Sequence, residues 1–180
     1  CFIAALWPFG FIYKMVGLSK PEIFLGIRLI LGSFTAYAES KLIGAIEDAF
    51  GLAYMQLNTM ILVFSPGIFF AATAFLPSAV SMSLTMLFLG AWLKGEYIVA
   101  ISWACASVLC TGWPFVALLY LPFGLHMLSK RNSEAGITDG VVPLCIQGAL
   151  ILSLFLALSL GIDFIAYGKW TAPTLNILLY

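Results

Sequence analysis

Charged side chains are too scarce in this chain to cover the surface of a water-soluble fold. The 180 residues include eight basic and eight acidic side chains, 9% of the chain, against 63% hydrophobic residues. Soluble domains carry about 25% charged residues, because polar side chains must cover their core. The chain therefore needs lipid as its solvent, where backbone groups are satisfied inside helices. We predict an all-α, polytopic transmembrane helical bundle.

The zero net charge and the absence of basic runs argue against two classes of partner, nucleic acids and the surfaces of anionic membranes. Net charge is zero, and no run of basic residues occurs. Nucleic-acid binding requires clustered Lys and Arg, and peripheral binding to anionic lipid requires a polybasic segment.

The four cysteines lack the spacing of metal ligands, and three lie in apolar stretches. We expect them to act as small hydrophobic side chains, and we expect no metal site.

Charges and Gly or Pro residues interrupt the apolar runs and divide the chain into about six predicted spans. The segments are 1–18 (half a span or an interfacial helix), 22–46, 52–64, 78–93, 97–129 and 141–162, followed by a tail, 163–180. As one helix, 97–129 would rise about 50 Å, more than the hydrocarbon core of about 30 Å. Because Pro114 breaks a helix, we predict a tight pair of helices there, broken at 112–114. The stretch 130–140 is predicted to be a polar loop.

The predicted helix pair divides the loops between two faces of the membrane. One face receives Glu47, Asp48, Lys94, Glu96 and 130–140, and the other receives 65–78, 112–114 and 163–180. Lys130 and Arg131 favour a cytosolic position for the first face. The second face is rich in irregular backbone, which survives at a membrane only where protein or a wet cavity satisfies it. This pattern indicates either a cavity that these segments form together or ordinary loops in which Gly and Pro residues end the helices.

Five short motifs follow one another along the second face. They are Ser-Pro-Gly-Ile-Phe (65–69), Ala-Phe-Leu-Pro-Ser (74–78), Gly-Trp-Pro-Phe (112–115), Asp163 with Tyr-Gly-Lys (167–169), and Ala-Pro (172–173) with Leu-Asn-Ile-Leu-Leu-Tyr (175–180). Over roughly 22–180 this order resembles the eukaryotic α-1,2-mannosyltransferases of asparagine-linked glycan assembly, in family 22 of the C-type glycosyltransferase superfamily. Arg28 and Glu39, eleven residues apart, also fit that pattern. The Phe-Leu-Pro-Ser form is closer to these enzymes than to their α-1,6 and glycolipid-anchor relatives, where Thr-Arg-Thr-Leu is more frequent.

The resemblance implies a fold, a location and a reaction. The fold would be C-type glycosyltransferase-like, in a multi-pass protein of the endoplasmic reticulum membrane. The donor would be dolichyl-phosphate mannose and the acceptor a dolichol-linked oligosaccharide, and both sugars would face the lumen. The reaction would invert the anomeric centre with one carboxylate as base and release the polyprenyl phosphate. No cofactor is evident beyond these lipid-linked substrates.

The catalytic carboxylate of this family lies in the first luminal loop, close to a Glu-Pro-x-His segment that this chain lacks. The resemblance therefore implies that the base lies upstream of residue 1, and no catalytic residue is assigned within 1–180. We expect 1–180 to be a single transmembrane domain from the central part of a longer enzyme. On its own this part is expected to be inactive.

Eight residues are predicted to contact the substrate. They are Arg28, Phe75, Pro77, Ser78, Trp113, Tyr167, Lys169 and Asn176. Arg28 either binds the donor phosphate through its fork of N–H donors or extends to lipid headgroups. Lys169 either attracts a phosphate or anchors the chain at the interface among aromatic neighbours. Trp113 and Phe115 form either a wall for a polyprenyl chain or part of the interfacial aromatic belt.

Two other polar residues are expected to be structural. Glu39 shares a helical face with Arg28, but the rise of about 16 Å between them is too long for a direct pair. We expect Glu39 to cap a helix or to pair with Lys41 or a neighbouring helix. His126 is the only histidine, and its place near the end of an apolar run is typical of a satisfied interface residue.

Two other functions remain open from the sequence. A transporter would show intramembrane charges on several helices and an internal repeat. Only Arg28 and Glu39 meet the first condition, and no repeat is visible. A noncatalytic scaffold would show stripes of small residues along its helices, and no long stripe is clear in this chain.

Overall fold

The computed structural model of the protein describes residues 19–74, 76–111 and 114–168, and regular structure in these ranges is helical throughout. The helices are α1 (Lys20–Phe50), α2 (Leu52–Val63), α3 (Pro66–Ala72), α4 (Pro77–Leu93), α5 (Tyr97–Cys105), α6 (Ala117–Gly136) and α7 (Val142–Tyr167). Two π-helical segments (Ala106–Cys110 and Ile137–Val141) and a short 3-10 turn (Pro114–Val116) connect them. The predicted all-α class is confirmed for the described residues, and the predicted segment 1–18 lies outside them.

Helices α1 and α4 run parallel and in contact over most of the bundle. Near the middle of α1, the Thr35 hydroxyl oxygen lies 2.9 Å from that of Ser83. Further along, Gly90 of α4 packs so closely on α1 that a Cβ there would lie 3.4 Å from the Lys41 carbonyl oxygen. The backbones of the two helices are therefore so close at this position that even a methyl group on α4 would touch α1.

Each of the next three helices, α5, α6 and α7, runs in the opposite direction to the helix before it. Tyr97 at the start of α5 lies beside the end of α6, where the cations of Lys130 and Arg131 are 5.9 and 5.4 Å from its ring centroid. In α7, the Ser159 hydroxyl donates to the Leu109 carbonyl at 3.5 Å. Helix α6 is thus antiparallel to α5, and α7 is parallel to α5. This arrangement confirms the predicted helix pair within 97–129 and the break between its two members.

Because the helices run in these directions, the turns between them lie at two opposite ends of the bundle. The charged end contains Asp48, Lys94, Glu96, Lys130 and Arg131, with Asp48 and Lys94 joined by a 3.1 Å ion pair. The proline end contains Thr73, Pro77, Thr111, Pro114 and Asp163. The predicted common face of 65–78, 112–114 and the start of the 163–180 tail is confirmed for the described residues, as is the opposite position of 130–140. The assignment of the charged end to the cytosol stays a prediction.

The stretch 130–140 is helical, and its prediction as a loop is wrong. Helix α6 continues to Gly136, where φ is 77° and the chain turns back into the π-helical segment Ile137–Val141. Lys, Arg, Glu and Ala are good helix formers, so the polar residues simply extend the helix beyond its apolar part. The reversal itself needs a single glycine with a left-handed backbone. Gly140 then packs directly against the Arg131 carbonyl group.

The 65–78 segment was also predicted as a loop, and it contains a short helix. Ser65 has an extended backbone, and Pro66 opens α3 at a position where the missing N–H would have no partner in the helix. Helix α3 is bent by 71° from α2, so the two form either one broken span or a re-entrant loop. The bend places the end of α3 against the middle of α1, which creates the candidate site described below.

By length and composition, two helical stretches are suited to cross a membrane, Lys20–Phe50 and Pro114–Ile165. The bent pair of α2 and α3 is a third candidate, and the second stretch contains the turn at Gly136. The expectation of about six spans is not confirmed. Helix α4 has 17 residues, and α5 with its π-helical extension (97–110) is shorter still, whereas a span needs about 20 residues.

Helix α4 holds its neighbours through three hydroxyl groups. Ser81 pairs with Ser107 at 2.7 Å, Ser83 with Thr35 of α1 at 2.9 Å, and Thr85 with Tyr120 of α6 at 2.8 Å. Around them lie the apolar core residues Ala38, Leu84, Leu87, Phe88 and Ala100. Because a buried hydroxyl without a partner is destabilising, these pairs fix which helix each face of α4 contacts.

Loss of either hydroxyl of the Ser81–Ser107 pair is expected to lower the free energy of unfolding. In a double-mutant cycle of Ser81→Ala and Ser107→Ala, we expect a coupling of about 0.6 kcal/mol and no more than about 1.7 kcal/mol, the mean and the maximum for interhelical hydrogen bonds in a well-studied membrane protein. Thermal melting of the purified protein is the measurement. Ser102→Ala is the matched control, since that hydroxyl bonds only to the Ile98 carbonyl of its own helix. Strictly additive effects would show that the pair does not join the helices.

Candidate functional site

Arg28 joins the first helix to the end of α3. Its Nη2 donates a hydrogen bond to the Thr73 hydroxyl at 2.9 Å, and its guanidinium lies 5.6 Å from the centroid of the Phe24 ring. A guanidinium carries five N–H donors, so the bond to Thr73 leaves several for an incoming acceptor. The side chain is exposed at the proline end of the bundle. Arg28 is therefore held in place and is still accessible to an anion.

Close packing between α1 and the end of α3 sets the position of Thr73. One turn beyond Arg28, a Cβ at Gly32 would lie 3.2 Å from Cγ2 of Thr73, so only glycine leaves this methyl its present place. One further turn along, the Thr35 hydroxyl lies 3.2 Å from the Ala72 carbonyl oxygen, to which it donates. The hydrogen bond of Arg28 thus rests on a packed contact between two helices.

A groove of about 420 Å³ runs between α1, α2 and α3 from this contact towards the charged end. Its lining residues are Gly32, Thr35, Ala36, Glu39, Ile43, Thr59, Leu62, Val63, Ile68, Phe69, Ala72 and Thr73. The lining is mostly apolar, and its volume is in the range of ligand-binding cavities. Between Gly32 and Ile43 the groove follows α1 for about 16 Å. A cationic group at one end and an apolar channel below it suit an amphiphile with an anionic head.

Among the described residues that line this groove, Glu39 is the charged one, and it does not pair with Lys41, which was one of its predicted partners. In the described ranges no hydrogen bond or ion pair joins Glu39 to Lys41, whose ammonium lies 5.4 Å from the Tyr37 ring centroid instead. The two side chains are only two positions apart in a helix, and residues at that spacing do not face each other.

His126 contacts Trp92 edge to face, with ring centroids 5.2 Å apart, as expected for a packed interface residue.

The structure places the other predicted substrate-contacting residues unevenly. Pro77 and Ser78 open α4 at the proline end, a few residues beyond Thr73, with Pro77 half-buried and Ser78 exposed. Tyr167 is the last residue of α7, whose C-terminus lies at the same end. Phe75, Trp113, Lys169 and Asn176 lie outside the described residues, and their roles stay predictions.

Two features of the proline end were not predicted from the sequence. Thr73 and Gly32 belong to no charged or aromatic motif, and their importance follows only from the contact between α1 and α3. The predicted last span ends at 162, but α7 continues past Asp163, which is buried with 2% of its surface exposed. Its spacing of four residues from the buried Ser159 was the available signal, because positions i and i+4 share a helical face.

The apolar helices, the polar groups buried between them and the arginine above an apolar groove define a membrane-type helical protein. The chain belongs to the Alg9-like mannosyltransferase family, whose family model matches residues 2–180.

Several curated relatives that share the name alpha-1,2-mannosyltransferase align with nearly the whole chain. The alpha-1,2-mannosyltransferase ALG9 of Arabidopsis thaliana is 33% identical over 164 residues, which cover 91% of this chain and 27% of the relative. Alg9 of Drosophila melanogaster is 33% identical over 173 residues, covering 96% and 26%. ALG9 of Saccharomyces cerevisiae is 30% identical over 187 residues, covering 99% and 32%. The chain thus spans about a quarter to a third of the length of these relatives. No solved structure matches it significantly.

Proposed function

We propose that the protein transfers mannose from dolichyl-phosphate mannose to a dolichol-linked oligosaccharide and forms an α-1,2 linkage. The observation that carries this proposal is membership of the Alg9-like mannosyltransferase family over residues 2–180, with relatives that bear the name alpha-1,2-mannosyltransferase. The proposed location is the endoplasmic reticulum membrane, with several membrane passes, and the proline end would face the lumen. The complete fold would be of the C-type, with about six spans in this part of it.

The geometry around Arg28 supports a lipid-linked donor. Dolichyl-phosphate mannose combines a phosphate with a long apolar chain, and the chain needs an apolar surface that is open to lipid. The guanidinium of Arg28 supplies planar N–H donors that match phosphate oxygens. The groove that begins at Thr73 supplies an apolar surface of suitable length. The donor would therefore place its phosphate at Arg28 and the first part of its polyprenyl chain between α1, α2 and α3.

In the proposed reaction, Arg28 acts on the leaving group. A hydroxyl oxygen of the acceptor attacks C1 of mannose while the bond from C1 to the phosphate oxygen breaks, and the anomeric centre inverts. The electron pair of that bond leaves with dolichyl phosphate, whose growing negative charge the guanidinium stabilises. A carboxylate takes the proton of the attacking hydroxyl. We place that base outside residues 1–180, as the family resemblance implies.

Complementation in yeast tests the proposal. The complete protein, expressed in Saccharomyces cerevisiae without its own ALG9, is expected to increase the number of mannose residues on the lipid-linked oligosaccharide. Chromatography of the released glycans is the measurement, and immunoblotting confirms that the protein is present in membranes. Rescue of a strain that lacks the α-1,6 enzyme, or a strain deficient in glycolipid-anchor mannosylation, with no effect in the first strain, would assign the protein to a related linkage. An unchanged profile in all three strains would refute the proposed activity.

A further inference from the structure

A second cavity lies at the charged end, far from the Arg28 groove. It is a cleft of about 250 Å³ between α1 and α5, and its floor is formed by α4. Its lining residues are Tyr37, Lys41, Leu87, Gly90, Ala91, Lys94, Glu96, Val99 and Trp103. We propose that this cleft binds the headgroup of a phospholipid that carries both a phosphate and a primary ammonium, a phosphatidylethanolamine. Neither the family nor the proposed mannosyl transfer assigns a ligand to it.

The depth of the cleft suits a lipid at the membrane interface. Lys94 and Glu96 lie in the turn between α4 and α5, at the very end of the bundle. Leu87 lies two helical turns deeper, about 10 Å along α4. Tyr37 and Trp103 stand on opposite walls, and such amphipathic rings are typical of the headgroup level. The mouth of the cleft is therefore polar, and its floor is apolar.

Small residues on α4 make the floor low enough to admit a ligand. Gly90 lines the cleft, and a Cβ added there would touch the backbone of α1, 3.4 Å from the Lys41 carbonyl oxygen. Ala91 beside it is buried, with 7% of its surface exposed. Because Gly90 and Ala91 carry no side chain larger than a methyl group, the cleft forms a depression over α4 between α1 and α5. A lipid tail that leaves this depression would run along the exposed side of Val99, which is 42% exposed.

The charges around the cleft favour a zwitterion over an anion. Lys94 is already paired with Asp48 at 3.1 Å. The Lys41 ammonium lies 5.4 Å from the centroid of the Tyr37 ring, and within the described ranges no ion pair involves Lys41 or Glu96. The cleft thus offers one unpaired ammonium and one unpaired carboxylate. A lipid phosphate beside Lys41 and a lipid ammonium beside Glu96 would neutralise both.

A carboxylate in the cleft distinguishes between the two zwitterionic headgroups ethanolamine and choline. Ethanolamine carries three N–H donors, which form charge-assisted hydrogen bonds with a carboxylate such as that of Glu96. Choline has no N–H and would rely on the face of an aromatic ring. The ring of Tyr37 already has the ammonium of Lys41 over it. The cleft should therefore prefer ethanolamine to choline.

The test is native mass spectrometry of the complete purified protein with phosphatidylethanolamine, phosphatidylcholine and phosphatidylglycerol of the same acyl chains. We expect phosphatidylethanolamine to bind about tenfold more tightly than the other two. The variants Lys41→Gln and Glu96→Gln should each weaken its binding by about tenfold. Val99→Trp, which fills the cleft without changing charge, should weaken it as well.

Matched controls distinguish the cleft from general charge effects. Lys130→Gln and Glu47→Gln alter the same end of the bundle without lining the cleft, and each should bind phosphatidylethanolamine like the unmodified protein. Melting temperatures without added lipid confirm that each variant is folded. Equal binding of the three lipids, or unchanged binding in Lys41→Gln and Glu96→Gln, would overturn the proposal. The proposed mannosyl transfer would be unaffected by that result.

Discussion

Replacement of Arg28 by Ala in the complete protein is expected to reduce kcat/KM for dolichyl-phosphate mannose by roughly ten- to a hundredfold. The substitution removes the proposed charge-assisted contact to the donor phosphate, and such a contact is worth about 1.5–3 kcal/mol. The bond to Thr73 already holds the guanidinium in place, so the contact requires little further ordering of this side chain. A transfer assay with purified protein and varied donor concentration measures the effect.

Three variants separate donor binding from folding. Arg28→Lys keeps the charge but loses the planar fork, so we expect an intermediate loss. Thr73→Val removes the hydroxyl that positions Arg28 while keeping the volume of the side chain, so a smaller loss is expected. Lys20→Ala removes another exposed cation of α1 and should leave donor use unchanged. If Arg28→Ala has full donor use and a normal melting temperature, Arg28 is a membrane anchor only.

Replacement of Gly140 by Ala is expected to destabilise the protein by about 1–3 kcal/mol or more, as overpacking of a rigid contact does. A Cβ at this position would overlap the Arg131 carbonyl group and would lie 3.2 Å from the Cβ of Ala135. The obstacle is backbone on one side, so rotation of a side chain does not relieve it. The reversal between α6 and α7 would have to open.

Gly124→Ala is the matched control for that substitution. Gly124 lies in the interior of α6, where a Cβ would meet no atom within 4 Å. Alanine is favoured over glycine in a helix by about 1 kcal/mol, so this variant should be as stable as the unmodified protein or slightly more stable. Thermal melting of the two variants provides the comparison. Equal melting temperatures for Gly140→Ala and Gly124→Ala would show that the chain does not reverse at Gly136 as described.

Sequence patterns located the apolar helices well because the limits of these helices depend on local chemistry. Pro66, Pro77 and Pro114 each start a helical segment, as expected for a residue that has no N–H to donate. The predicted helix pair within 97–129 followed from its length, since a single helix would overrun the bilayer, and from Pro114, which breaks a helix. These features need no knowledge of which helices are neighbours.

Features that depend on tertiary contacts could not be predicted in this way. A polar stretch such as 130–140 is compatible with a loop or with an exposed helix, and its helix propensity alone does not decide between them. The partner of Arg28 is 45 residues away in the sequence, and Thr73 has no pattern that marks it. The groove beside Glu39 exists because α3 bends by 71° from α2, and no residue of its lining predicts that angle.

The most direct test of the proposed function is mannosyl transfer by the complete purified protein to a dolichol-linked oligosaccharide acceptor, with dolichyl-phosphate mannose as the only donor. We predict an acceptor that is larger by mannose and a new linkage that an α-1,2-specific mannosidase removes. A nucleotide-linked mannose should not replace the lipid-linked donor, because it has no chain to occupy the groove below Arg28. Transfer from the nucleotide sugar alone, a product that resists the α-1,2-specific enzyme, or no transfer by folded protein would contradict the proposal.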